Sequence, residues 1–108
     1  MKRMKYGNFK HDLSSELKKS KKFEHLFRIE SAKLKVAQWI GDMRERAGLT
    51  QGQLAKRMGV SQQLISRIES GSDNLTLETL VTFLEVFHVS IKIGVDTQHN
   101  KKELLTFA

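Results

Sequence analysis

Cysteine is absent from these 108 residues. A chain without it has no disulfide framework and no thiolate metal site, which suits a reducing cytosol. No apolar run approaches the roughly 20 residues of a membrane-spanning helix. The first residues include Lys2, Arg3 and Lys5 but not the apolar stretch of a secretory signal. The expectation is a cytoplasmic protein with no membrane contact. The histidines at 11, 25, 88 and 99 are scattered, without the close pairing that a zinc site requires. No nucleophile elbow or phosphate-binding loop is present, and no spacing of serines and histidines nominates a triad. No catalytic residue, metal ligand or cofactor is therefore expected. Repeats and low-complexity tracts are also missing. A chain of this length corresponds to about one domain with a modest core.

What is present begins with charge. The net charge is +7, and its distribution is uneven. Residues 1–35 hold 11 Lys+Arg against 4 Asp+Glu, whereas residues 36–108 hold 8 of each. The basic end either attracts DNA or an acidic partner through its field, or its lysines at 18, 19, 21 and 22 solvate a helix face.

Residues 50–71 carry the most specific pattern. Thr50 can cap a short helix, and Gln53 three residues later completes a capping box. Leu54, Ala55 and Met58 give that helix an apolar face. Gly59 ends it, because glycine adopts the left-handed conformation a sharp turn needs. Ser61 then caps a second short helix, in which Leu64, Ile65 and Ile68 point inward at helical spacing. Gln62, Gln63, Ser66 and Arg67 remain on its outer surface, as side chains able to pair with base edges in a major groove. The arrangement is a helix-turn-helix.

At Arg44 to Gly71 the chain resembles the Cro and phage-repressor (XRE-type) family. Gly48-Leu49-Thr50-Gln51, Leu54-Ala55, Gly59-Val60-Ser61-Gln62 and Ile65-Ser66-Arg67-Ile68-Glu69-Ser70-Gly71 stand where that family places them. The resemblance implies a mainly α fold, with a five-helix domain over 33–88. It implies double-stranded DNA as a partner, with Gln51, Ser61, Gln62, Gln63, Ser66 and Arg67 at the interface. In the family the residue matching Gln62 contacts a base edge, those matching Gln63 and Arg67 help set sequence preference, and the one matching Gln51 donates to a phosphate. Arg67 either reaches a guanine or holds a phosphate. Arg44 and Glu69 resemble the family's internal ion pair, which is structural.

Around that domain the pattern is coarser. Met1 to Asn8 reads as a loose terminus. Phe9, Leu13 and Leu17, then Phe23, Leu26, Phe27 and Leu34, fall at helical spacing, so residues 1–32 read as a basic N-terminal extension of one or two helices. A long helix follows, with Val36, Ile40, Met43 and Ala47 inward and Trp39 off the stripe, packed against the N-terminal helices. A loop from Gly71 to Leu75 ends at a cap from Asn74 or Thr76. The helix over Leu77 to Phe87 is expected to bury Leu77, Leu80, Val81, Leu84 and Phe87.

Val89, Ile91, Ile93 and Val95 then alternate with polar residues, as in a half-buried strand over 89–96. Residues 97–108 read as a polar tail. A single strand leaves its backbone groups unpaired, and pairing with a second copy across a twofold axis solves this. Those four residues are therefore the expected dimerisation surface, and a homodimer suits a palindromic operator. Pairing with the N-terminal segment or with another protein is the alternative. The whole layout resembles the HigA-like and HipB-like antitoxins within the family, which implies a repressor of its own operon with a partner toxin. A stand-alone phage or chromosomal regulator is the second reading. An interaction module without DNA binding is the third, and the intact Gln51, Gln62, Gln63 and Arg67 argue against it.

Overall fold

The computed structural model describes residues 6–98 and 102–108, with side chains from residue 13 onward. Four helices precede a hairpin: α1 (Tyr6–Arg46), α2 (Gln51–Met58), α3 (Gln62–Glu69), α4 (Leu77–Phe87), β1 (Ile91–Asp96) and β2 (Lys102–Phe107). The mainly α class follows the sequence pattern, and the departures lie at the two ends.

At the N-terminal end, the expected separate helices are one helix of 41 residues. The extension over 1–32 and the first helix of the domain are continuous, so the described chain has four helices and not five plus extras. The reason is the lack of any breaker. The chain has no proline, and no glycine lies between Gly7 and Gly41. The lysine-rich stretch at 18–22 is built of residues that tolerate a helix well. Of the terminus expected to be loose, Tyr6, Gly7 and Asn8 already belong to α1, and residues 1–5 lie outside the described chain. A rise of 1.5 Å per residue makes α1 roughly 60 Å long, which sets the 63 Å length of the molecule.

The core gathers where α1 ends. Ile40 from α1, Leu54, Ala55 and Met58 from α2, Ile65 and Ile68 from α3, and Phe83 and Leu84 from α4 are buried together with Leu49. Three expectations fail here. Ala47, expected inward, is exposed, because α1 ends at Arg46 and the chain turns away there. Leu77 is 66% exposed, because it sits in the first turn of α4, beyond the reach of the core. Phe83 takes its place, and the packed face of α4 runs through Leu80, Phe83, Leu84 and Phe87. Trp39 meets Phe83 edge-on with ring centroids 5.3 Å apart. It therefore packs on α4, since the chain before it continues as α1 and has no separate helix to fold back.

Local signals define the short elements. Thr50 Oγ1 accepts from Gln53 N at 3.1 Å while Thr50 N donates to Gln53 Oε1 at 2.8 Å, a complete capping box. Ser61 Oγ accepts from Leu64 N, and Thr76 Oγ1, not Asn74, caps α4 by accepting from Thr79 N. Gly59 closes α2 at φ 71°. Gly71 follows α3 at φ 76°, with Leu34 of α1 packed against it.

At the C-terminal end the segment expected as a polar tail forms β2. It pairs antiparallel with β1, placing Ile91 opposite Phe107, Ile93 opposite Leu105 and Val95 opposite Glu103. The strand expected to lack a partner thus finds one in its own chain, and Val89 lies just outside it. Adjacent Leu104 and Leu105 break the period-two pattern that would have announced β2. Ile91 and Phe107 anchor the hairpin on the core.

The two glycines give a controlled comparison. A methyl added at Gly59 meets nothing within 4 Å, whereas at Gly71 it lies 3.0 Å from Leu34 Cδ2. We expect Gly59→Ala to cost about 1–2 kcal/mol, the left-handed backbone penalty alone. Gly71→Ala should cost more, and Leu34→Ala in that background should recover part of the excess. Urea unfolding monitored by circular dichroism measures all three.

Candidate nucleic-acid interface

The sequence-nominated residues converge at one end of α3. A shallow depression is lined by Gln51, Ser61, Gln62, Gln63 and Ser66. Its two walls are the first turns of α2 and α3, and the caps described above orient both. Each first turn has backbone N–H groups without intrahelical partners, pointing out of the helix start. Gln62, Gln63 and Ser66 are exposed, while Gln51 is half-buried. The surface therefore presents amide and hydroxyl groups, with their donors and acceptors available to a ligand.

Arg67 is the nominated residue that does not line this depression. Its Nε donates to Asp73 Oδ2 at 3.1 Å, tying it to the loop after α3. Both partners retain contact with solvent, so the pair is weak. Asp73 has no signal in the sequence pattern, because it lies in an irregular loop six residues after its partner. Gly52 is also absent from the sequence-based set. A methyl there would stand 3.2 Å from Gln62 Oε1, so the glycine leaves room for that amide over α2. A glycine inside the first turn of a short helix is itself an anomaly, and it could have flagged this close approach.

Arg44 and Glu69 hold the two short helices to α1. Arg44 Nε donates to Glu69 Oε2 at 2.7 Å and Nη2 donates to Oε1 at 2.8 Å. Arg44 Nη1 donates to the Leu49 carbonyl at 2.7 Å. The two side chains are only 13% and 9% exposed. Gln51 Nε2 approaches the same carboxylate at 3.4 Å, a long and weak contact. The hydrogen bonds to Glu69, opposed by desolvation, raise the pKa of Arg44 above its ordinary value. A raised cation pKa means the arginine's contribution is complete below its ordinary value and is lost only at still higher pH. The arginine thus stays charged across any ordinary pH range.

Among the described residues no group of histidine, aspartate or glutamate is arranged to hold a metal ion. No helix among them is long and apolar enough to cross a membrane. Val89, Ile93 and Val95 are exposed, whereas Ile91 is half-buried against the core.

Comparison with known proteins agrees with this geometry. The helix-turn-helix family model matches residues 40–93, half of the chain. The protein belongs to the helix-turn-helix family. It is a DNA-binding regulator by class and not an enzyme. Antitoxin HipB of Escherichia coli strain K12 is 37% identical over 51 residues, covering 47% of this chain and 58% of that protein. Antitoxin HipB of an Escherichia coli O6:H1 strain is 35% identical over 51 residues, covering 47% of this chain and 54% of that protein. The match thus spans little more than half the length of either relative. The long exposed part of α1, before residue 40, lies outside the family match.

The ion pair generates a stability prediction. Glu69→Ala strands the Arg44 guanidinium in a largely enclosed place and should cost about 3–5 kcal/mol. Glu69→Gln keeps the shape and one acceptor, while its amide N–H faces a guanidinium N–H, so it should cost less than alanine only by the one hydrogen bond it retains. Equal costs for the two variants in urea unfolding would show that the lost charge, and not the hydrogen bond the amide retains, accounts for the whole effect.

Proposed function

We propose that this protein is a sequence-specific transcriptional repressor and the antitoxin of a toxin–antitoxin pair, repressing its own operon. The observation that carries the DNA-reading part is the convergence of Gln51, Ser61, Gln62, Gln63 and Ser66 on one surface at the start of α3. The antitoxin part is supported by the two HipB relatives. On this reading α3 enters the major groove by its N-terminal end. Gln62 and Gln63 each offer an amide that pairs in two places with an adenine edge. Gln51 and the free N–H groups of the α2 start hold a phosphate. Arg67 exchanges Asp73 for a guanine edge or a phosphate oxygen. The Arg44–Glu69 pair is structural and stays out of contact with DNA. The protein acts in the cytoplasm.

The reader is a homodimer on a palindromic operator. Support for this no longer comes from an unpaired strand, since β1 is paired with β2. It comes from the apolar face of the hairpin. Ile93, Val95 and Leu105 lie on the same face as Ile91 and Phe107, which the core anchors, but they extend past the core and are exposed. A second copy of that face covers them.

The test uses the DNA upstream of the protein's own reading frame and a scrambled duplex, with binding followed by fluorescence anisotropy. Gln62→Ala and Gln63→Ala should each weaken operator binding by about 1–3 kcal/mol, leaving scrambled DNA within twofold. Gln51→Ala should weaken both duplexes alike, because phosphate contacts carry no base information. Equal losses on both duplexes for the Gln62 and Gln63 variants would rule out base readout. The protein product of the neighbouring reading frame should co-purify with this chain, and its failure to do so would remove the antitoxin assignment.

Dimerisation has its own measurement. Ile93→Lys combined with Leu105→Lys should convert the dimer to a monomer in sedimentation at about 5 µM, a concentration suited to a modest interface. The helical signal should be unchanged, since neither side chain is buried in the core. A dimer that survives both lysines would exclude the hairpin face.

A further inference from the structure

The N-terminal half of α1 presents apolar side chains that no other described residue covers. Residues 16–30 are exposed at every position, all around the helix. Within this region lie Phe23, 69% exposed, and Phe27, 63% exposed, stacked with ring centroids 6.4 Å apart. Leu13, 49% exposed, continues the same line toward the N-terminus, and Leu34 carries it to the domain, where it packs against Gly71. The positions 13, 16, 20, 23, 27, 30 and 34 alternate in steps of three and four. That is the spacing of a two-stranded coiled-coil seam, here with Glu16, Ser20 and Glu30 as polar members among Leu13, Phe23, Phe27 and Leu34. Beyond Glu30 the same face runs into the domain, where Leu34 packs against Gly71 and Ala37 is buried, so only its part before residue 31 is open to a partner.

We infer that residues 13–30 of α1 pair with the same segment of a second copy, as a parallel, in-register coiled coil. Three observations favour this occupant. First, the basic residues are placed for it. Lys18, Lys21, Lys22 and Arg28 fall on the outer positions of the repeat, so pairing leaves them in water. A partner with an acidic surface that covered the apolar line would not meet them. Second, the flanks complement each other only in one orientation. Lys19 and Glu24 occupy the two seam-flanking positions that meet across a parallel pair, giving two symmetric ion pairs. Third, the exposed side chains are large: Leu13 is 49%, Leu17 57%, Phe23 69%, Leu26 50% and Phe27 63% exposed, which provides a contact at the small, weak end of the range for protein interfaces.

Glu16 and Glu30 lie in the seam and set a limit on affinity. Each is near a lysine one turn on, Lys19 at 4.0 Å and Lys33 at 3.3 Å. Those pairs offset the approach of like carboxylates without making the seam apolar. The contact is therefore reversible and weaker than an all-leucine coil, with polar seam residues fixing register at the expense of stability. A parallel pair also keeps both helix-turn-helix units at one end of the coil. The inference does not depend on the DNA-reading or antitoxin proposals.

The absence of cysteine from the chain supplies the experiment. Two full-length variants, Phe27→Cys in the seam and Lys18→Cys on the outer face, are oxidised separately at about 50 µM, chosen for a weak interface. Covalent dimer is read on non-reducing gels. Phe27→Cys should give at least tenfold more dimer than Lys18→Cys. Adding Leu13→Glu and Phe23→Glu should abolish that excess without moving the unfolding midpoint, because both side chains are already exposed. The excess should persist with Ile93→Lys and Leu105→Lys, which separates this contact from the hairpin face. Equal yields at 27 and 18, or no effect of the glutamates, overturns the inference. Cross-linking only between Phe23→Cys and Phe27→Cys chains overturns the parallel orientation. No dimer at position 27, with maleimide labelling of Phe27→Cys blocked by the neighbouring gene's product, assigns the face to a different protein.

Discussion

The bidentate contact between Arg44 and Glu69 is the constraint on which the geometry of the site depends. Arg44 is near the end of α1, and Glu69 is the last residue of α3. The same guanidinium also holds the Leu49 carbonyl in the turn leading to α2. One side chain thus fixes three chain segments that converge from different directions. Apolar packing of Ile40, Leu54, Ile65 and Phe83 supplies most of the free energy of the core but is not directional. A planar guanidinium meeting a carboxylate through two parallel hydrogen bonds is directional. It determines the angle at which α3 leaves the core, and hence where its N-terminal end points. Desolvation makes such a pair poor at adding stability but strict about geometry, since either partner alone would be stranded.

The molecule divides into parts that obey different rules. From residue 37 onward each helix buries one face, and every short helix has its cap, so local preference and tertiary packing agree. Over residues 16–30 the helix is exposed at every position and has little tertiary support. Its helical preference and its two i,i+3 ion pairs are weak individually, and isolated helices in water rely on length and composition. The basic charge of the chain is concentrated in residues 1–35, away from the surface formed by Gln51, Gln62 and Gln63. That surface is neutral and hydrogen-bonding, which suits discrimination between bases more than bulk attraction to phosphate.

How much was legible in the sequence follows from which interactions are local. The capping box at Thr50 and Gln53, the glycine stop at 59 and the serine cap at 61 are contacts within four residues, and each appears in the structure as written in the sequence. The Arg44–Glu69 pair spans 25 residues, and only family resemblance could nominate it. Trp39 was placed against the N-terminal helices because its partner Phe83 lies on an element with no sequence relation to it. The strand over Lys102–Phe107 was hidden by paired leucines and paired lysines, which blur alternation. Continuity of α1 is a statement about what is missing, a breaker between 8 and 40, and periodicity alone does not register it. The surface line from Leu13 to Leu34 was visible as spacing, but whether it was core or exposed depended on the direction of α1.

Arg67 shows how the site can be ordered without being locked. Its neighbours Ser66 and Ile68 are fixed by the helix, and the hydroxyls of Ser70 and Ser72 both donate to its carbonyl, reinforcing the end of α3. Its guanidinium, by contrast, is held by Asp73 in a solvent-exposed pair worth at most about 1 kcal/mol. Such a pair restricts the rotamers of a long side chain, yet on the proposed reading it would yield to a phosphate or a guanine edge, since either can bind arginine through two hydrogen bonds at once. The rigid end of α3 is therefore the one tied to α1, and its adjustable groups are at the surface. A rigid frame with exchangeable side-chain partners is the physical form that a reader of DNA sequence requires, since the frame sets register and the side chains are left to distinguish the bases.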